Sequence, residues 1–102
     1  MDTTVLALPP KALQNVQRIL AAHAPKHRAF AFGSRVVSSK AAAKLVKRHA
    51  DIDIALDGPS LPLETLFELR EAFSESDLQM RVDVMDAADI PATWDIRCFE
   101  LR

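Results

Sequence analysis

Three carboxylates stand behind a Gly-Ser turn in this 102-residue chain. Gly33-Ser34-Arg35 follows the apolar run Ala31-Phe32. Asp51 and Asp53 lie in Asp51-Ile52-Asp53-Ile54-Ala55-Leu56, and Asp83 lies in Arg81-Val82-Asp83-Val84-Met85. Successive side chains of a strand point to opposite faces, so Asp51 and Asp53 share one face while Ile52, Ile54 and Leu56 fill the other. Asp83 has the same setting between Val82 and Val84. If the two strands are neighbours the three carboxylates converge, and like charges that close raise one another's pKa unless a cation joins them. Oxygen donors suit a hard cation, Mg²⁺ above all, and such ions commonly arrive with phosphates attached. The pattern predicts a site for metal and nucleotide.

These side chains need strands and tight turns to hold them. Residues 1–8 read as a short extended tail with some apolar character at Val5, Leu6 and Leu8. Pro9-Pro10 suits the first turn of a helix. Leu13, Val16 and Leu20 then recur at helical spacing, with Ala12 and Ile19 beside them, to about residue 23, where Pro25 stops the run. Arg28–Phe32 reads as a first strand, closed by Gly33-Ser34. From Ser34 to Arg48 the second half, Lys40-Ala41-Ala42-Ala43-Lys44-Leu45-Val46-Lys47-Arg48, favours helix, and Val36-Val37-Ser38-Ser39 is helix or loop. Asp51–Leu56 is the second strand, ended by Asp57-Gly58-Pro59. Ser60 can cap a helix that runs to about Ser74 with Leu63, Leu66, Phe67, Leu69 and Phe73 on its apolar side. Arg81–Met85 is the third strand and residues 86–92 a turn. Trp94–Leu101 reads as a short helix and a final strand. The expected architecture is α/β (α+β), a small mixed sheet of three to four strands with flanking helices.

Composition narrows the class. The length predicts a single domain over residues 1–102. A domain this small buries a modest core, so docking to itself or to another subunit would help it. A net charge of −1 gives no support to polyanion binding by the surface as a whole. Cys98 is the only cysteine, which excludes an intrachain disulfide framework, fits a reducing compartment and leaves the thiol a structural role. No apolar stretch is long enough to span a membrane, and Met1-Asp2-Thr3-Thr4 lacks the basic start of a signal peptide. The expected location is the cytoplasm.

The ordered set (strand, Gly-Ser, strand with paired Asp, helix, strand with one Asp) resembles the minimal nucleotidyltransferases of the DNA polymerase β-like superfamily. The likeness extends through Ala31–Val36, Asp51–Ala55, Leu69–Leu78 and Arg81–Val84, and covers residues 10 to 100. It implies a nucleotidyltransferase-like fold and an Mg²⁺-dependent transfer of a nucleotidyl group, with ATP as the expected donor. Gly33, Ser34 and Arg35 would meet the triphosphate, with helix-start N–H groups assisting. Asp51 and Asp53 would hold two Mg²⁺ ions, and Asp83 would complete the second site and act on the attacking hydroxyl. Small members of this kind resemble the antitoxin half of two-gene modules, whose partner is a helical HEPN-type protein modified on a hydroxyl such as that of tyrosine. Two departures bear on the nucleotide end: Ser38 stands where the Gly-Ser-x-x-x-Gly pattern has its second glycine, and the segment 38–50 is longer and basic.

Other residues carry two readings each. Arg35 is a phosphate contact or a surface ion-pair residue. Lys40, Lys44 and Lys47, at helical spacing, form a solvated face or a contact surface for an acidic or polynucleotide partner. His49, Asp77 and Asp86 read as loop or turn residues, and Trp94 and Phe99 as packing or docking residues. A different class of function, a catalytically weak module that neutralises a partner by contact alone, is favoured by Ser38 and the basic segment and opposed by the three retained aspartates. Transfer to RNA or to a small molecule is opposed by the neutral charge and by the lack of an acceptor domain.

Overall fold

The computed structural model describes residues 4–91 and 97–101. The strands are β1 (Val5–Leu6), β2 (Arg28–Phe32), β3 (Val36–Val37), β4 (Ile52–Asp57), β5 (Val82–Asp86) and β6 (Phe99–Glu100), and the helices are α1 (Pro10–His23), α2 (Lys40–Ala43) and α3 (Leu63–Glu75). β5, β4, β2 and β6 form a mixed sheet in that order, with β4 and β5 parallel and the other pairs antiparallel. β1 and β3 form a separate antiparallel pair. The α+β plan expected from the sequence is the one observed.

Local chemistry explains the elements that position the site. α1 starts on Pro9-Pro10, whose fixed φ suits a first turn, and buries Val16, Ile19 and Leu20. β2 buries Ala29 and Ala31, and β4 buries Ile52, Ile54 and Leu56, so one face of the sheet is continuously apolar. Leu69 and Phe73 of α3 join Val16, Ile19 and Leu20 of α1 over that face, with Val84 and Leu101, to make the core. Burying a side chain of this size contributes about 1.5–3 kcal/mol. Among the described residues no helix is long and apolar enough to cross a membrane.

Several expectations are corrected. The helix after Gly33-Ser34 does not form: Gly33–Arg35 is a single 3-10 turn, β3 follows, and α2 is only four residues long. β-branched Val36-Val37 pairs instead with Val5-Leu6. Lys44 terminates α2, so Lys40, Lys44 and Lys47 share no helical face, and Leu45 is 84% exposed. Ser39 caps α2, its hydroxyl accepting from the Ala42 N–H at 3.0 Å. Pro62 rather than Ser60 precedes α3. Leu63 and Phe67 are exposed because Leu66, Leu69 and Phe73 form the stripe that faces the core. Cys98 is exposed. The helix expected from Trp94 falls largely on residues 92–96, outside the described residues, while β6 supplies the final strand.

Candidate active site

The sheet register builds the site. Phe32 of β2 lies opposite Asp53 of β4, and Asp53 lies opposite Asp83 of β5. Paired residues of neighbouring strands point to the same side, so Phe32, Asp53 and Asp83 form a row across the face opposite the core. The alternation that buries Ile52 and Ile54 forces Asp53 out to this face, and Val82 and Val84 do the same for Asp83. Asp51, the expected first residue of this strand, lies just before β4, which begins one residue later at Ile52, and is exposed. The Ile52 N–H donates to the Arg81 carbonyl at 2.9 Å, which ties the approach of Asp51 to the approach of Asp83.

Gly33 follows Phe32 at the end of the row. Its φ of +83° is open to glycine and strained for other residues. A Cβ there would also collide with Oδ2 of Asp53. The turn carrying exposed Ser34 therefore lies against the central carboxylate. A cavity of ≈ 450 Å³ opens over the row, lined by Phe32, Asp53, Arg70, Asp83, Val84 and Met85.

The electrostatics are those of a site short of positive charge. Burial raises the Asp53 pKa above its ordinary value, and the charges of Asp83 and Asp51 raise it further. A divalent cation at this point would offset all three effects, and carboxylate oxygens are suitable donors for Mg²⁺. The residues thus fit the metal in kind. Among the described residues no three acidic, cysteine or histidine side chains are already closed into a metal cage. Asp83 is turned to Arg81, whose Nε and terminal nitrogen each lie 3.2 Å from Oδ1.

Arg35 departs from both readings of the sequence. It is 4% exposed, and its guanidinium donates to the carbonyls of Ala7 at 2.6 Å, Ala50 at 2.7 Å, Arg48 at 2.8 Å and Lys47 at 3.4 Å. The Ala7 N–H returns a bond to the Arg35 carbonyl at 2.7 Å. A phosphate contact would require breaking this network, and among the described residues Arg35 forms no ion pair. Burial lowers its pKa and the charge of Asp51 opposes that shift. Arg35 is thus a clamp on the loop that ends in Asp51. His49 Nδ1 lies 2.9 Å from the Gln79 carbonyl, and the Arg48 guanidinium donates to Oε1 of the same residue, so the loop is tied on its other side as well.

Ser38 adopts no left-handed conformation, for among the described residues only Gly33 and Gly58 have positive φ. The missing second glycine therefore imposes no backbone strain. Asp86 ends β5 and caps the 3-10 turn Ala87–Asp89, its Oδ1 accepting from the Ala88 N–H at 2.9 Å. Arg70, Met85 and Phe32 line the site without having been singled out by sequence. Met85 is legible from alternation with Asp83, whereas Phe32 is brought in by the register of β2 against β4 and Arg70 arrives from a helix, so neither has a local signal.

No protein-family model matches the chain. It is 41% identical over 85 residues to the probable protein adenylyltransferase MntA of Haemophilus influenzae, a match that covers 81% of this chain and 68% of that protein. The Gly-Ser turn packed on Asp53, with Asp83 in register beside it, is the arrangement that the order of motifs implied. With that similarity over most of both sequences, the chain belongs to the MntA-type minimal nucleotidyltransferases.

Proposed function

We propose that the chain transfers AMP from ATP, with Mg²⁺, to a hydroxyl side chain of a partner protein, and that it is the antitoxin half of a two-gene module whose partner is a helical HEPN-type protein. The observation that carries the reading is the register of Asp53 against Asp83 with the Gly33-Ser34 turn packed on Asp53. The name of the H. influenzae relative supports a protein as acceptor.

In this reading the Ser34 hydroxyl and the turn's backbone hold the β- and γ-phosphates. Asp51 and Asp53 would hold the metal ions with Asp83 as a further ligand, and ions bound there would supply positive charge to the entering and leaving oxygens of an in-line displacement. Asp83 takes the proton of the attacking hydroxyl. The hydroxyl oxygen bonds to the α-phosphorus, the bond from that phosphorus to the bridging oxygen breaks, and pyrophosphate leaves. Arg35 holds the loop before Asp51 in place and does not touch the nucleotide.

Calorimetry with Mg-ATP separates this from the contact-only alternative. The expected result is saturable, Mg²⁺-dependent binding that is lost in Asp53→Asn. Absence of binding by the parent chain would favour a module that acts by contact alone.

A further inference from the structure

We propose that the acceptor binds in the cleft beyond the β5 edge, and that Arg70 and Arg81 select a hydroxyl-bearing polypeptide segment with acidic side chains beside the hydroxyl. This rests on the nucleotidyl-transfer reading and adds the class of acceptor to it.

Sheet order carries the geometry. The Gly33-Ser34 turn follows β2, Asp53 is on the neighbouring β4, and Asp83 is on β5 at the sheet edge. In an in-line displacement the entering and leaving oxygens stand on opposite sides of the phosphorus. With the phosphates at the β2 end of the row, the entering hydroxyl comes from the β5 end. There the structure has a cleft of ≈ 690 Å³ whose apolar wall includes Phe73, Leu78 and Met80 and whose charged residues are Arg70, Arg81 and Asp83.

The two arginines bracket Asp83. Arg81 reaches its Oδ1 at 3.2 Å in a pair whose side chains are 75% and 45% exposed, and a pair so open to solvent exchanges partners readily. Arg70 crosses the edge strand, its guanidinium 3.5 Å from the Val84 carbonyl, and lines both this cleft and the cavity over Asp53. Guanidinium groups match carboxylates with paired donors. The apolar wall suits the ring of a tyrosine-like acceptor. RNA fits less well: binding a polynucleotide uses a track of cations with stacking aromatics. Here two arginines flank one acidic point, and the further cations Lys40, Lys44, Lys47 and Arg48 belong to the segment that follows the phosphate turn.

The test uses the full chain, isotope-labelled, with Mg²⁺ and a non-hydrolysable ATP analogue. It is titrated in separate NMR experiments with capped Glu-Tyr-Glu, capped Lys-Tyr-Lys and a short oligouridylate. The acidic peptide is expected to move the amide signals of Ser74, Leu78, Met80 and Arg81 and to bind about tenfold or more tighter than the basic one, a difference of about 1.4 kcal/mol. The double variant R70E/R81E is expected to reverse that order. Both side chains belong to exposed residues, so the core is untouched, and a melting curve checks the fold. Equal affinities for the two peptides, shifts confined to residues 40–48, tighter binding of the oligouridylate at the same amides, or an unchanged order in R70E/R81E would overturn the proposal. The peptides are not modified in this measurement, so its outcome does not depend on turnover. Failure of the nucleotidyl-transfer reading would show separately, as absence of nucleotide-induced shifts at Gly33 and Ser34.

Discussion

Replacing Arg35 with methionine should unfold the chain at markedly lower temperature without acting through the nucleotide. The substitution removes three short charge-assisted bonds, to the carbonyls of Ala7, Arg48 and Ala50 at 2.6–2.8 Å, and one long one to Lys47. Bonds to a charged group contribute about 1.5–3 kcal/mol each, so three uncompensated losses amount to roughly 4–9 kcal/mol. Two effects reduce this. Arg48 is exposed, so water can replace the bond to its carbonyl, and burying a guanidinium is itself unfavourable. A net cost of about 3 kcal/mol, the lower end for breaking a buried charged network, is the expected value. For a domain of this size that lowers the melting temperature by roughly 12–24 °C. Arg35→Lys keeps the charge but loses the fork geometry that reaches three carbonyls at once, so it should fall at least half as far. Circular dichroism melting of both variants measures this. An Arg35→Met protein that melts within about 2 °C of the parent, far inside the expected shift, while binding Mg-ATP more weakly, would refute the clamp and restore a phosphate contact.

Gly33→Ala places a methyl group on the Asp53 carboxylate at a backbone φ of +83° and should cost about 1–2 kcal/mol of stability while weakening Mg-ATP binding about tenfold, both measurable by melting and calorimetry. The raised pKa of Asp53 has a definite sign: the folded state holds this proton above the ordinary 3.8, so stability is lost as pH rises through the window between that value and the folded one, and stays lost at neutral pH. Asp53→Asn should therefore melt above the parent at neutral pH without Mg²⁺, lack that window in a difference curve, and lose the stabilisation that added Mg²⁺ gives the parent. Ser39→Ala removes the cap of a four-residue helix and should cost about 1 kcal/mol, with faster amide exchange at Ala42 and Ala43 while the amides of β4 stay protected.

The parts of the fold legible in the sequence are those set by local periodicity. The bounds of α1 follow from Pro9-Pro10 and the Val16-Ile19-Leu20 spacing, and the alternation in residues 52–56 and 82–85 gives both strands and the facing of Asp53 and Asp83. What was not legible depends on residues distant in the chain. Val36-Val37 becomes a strand because Val5-Leu6 pairs with it, about thirty residues away. Nothing local distinguishes the buried Arg35 from a surface arginine, since its acceptors come from residue 7 and from residues 47–50. Those bonds also explain why the Lys-Ala-Leu segment does not continue as helix. The carbonyls of Lys47, Arg48 and Ala50 are turned to Arg35, and a short helix with no packed face is marginal on its own. The candidate site divides in the same way. The carboxylates and the Gly33-Ser34 turn are readable, whereas the buried role of Arg35 and the arginines at the β5 edge need the tertiary structure.

The most direct test of nucleotidyl transfer is the intact mass of a co-expressed helical partner protein after incubation with the chain and Mg-ATP. The account predicts a gain of an AMP-sized mass on a hydroxyl side chain, absent when the chain carries Asp51→Asn or Asp53→Asn. Equal labelling of the partner by those variants would contradict the assignment of the carboxylate row as the catalytic centre.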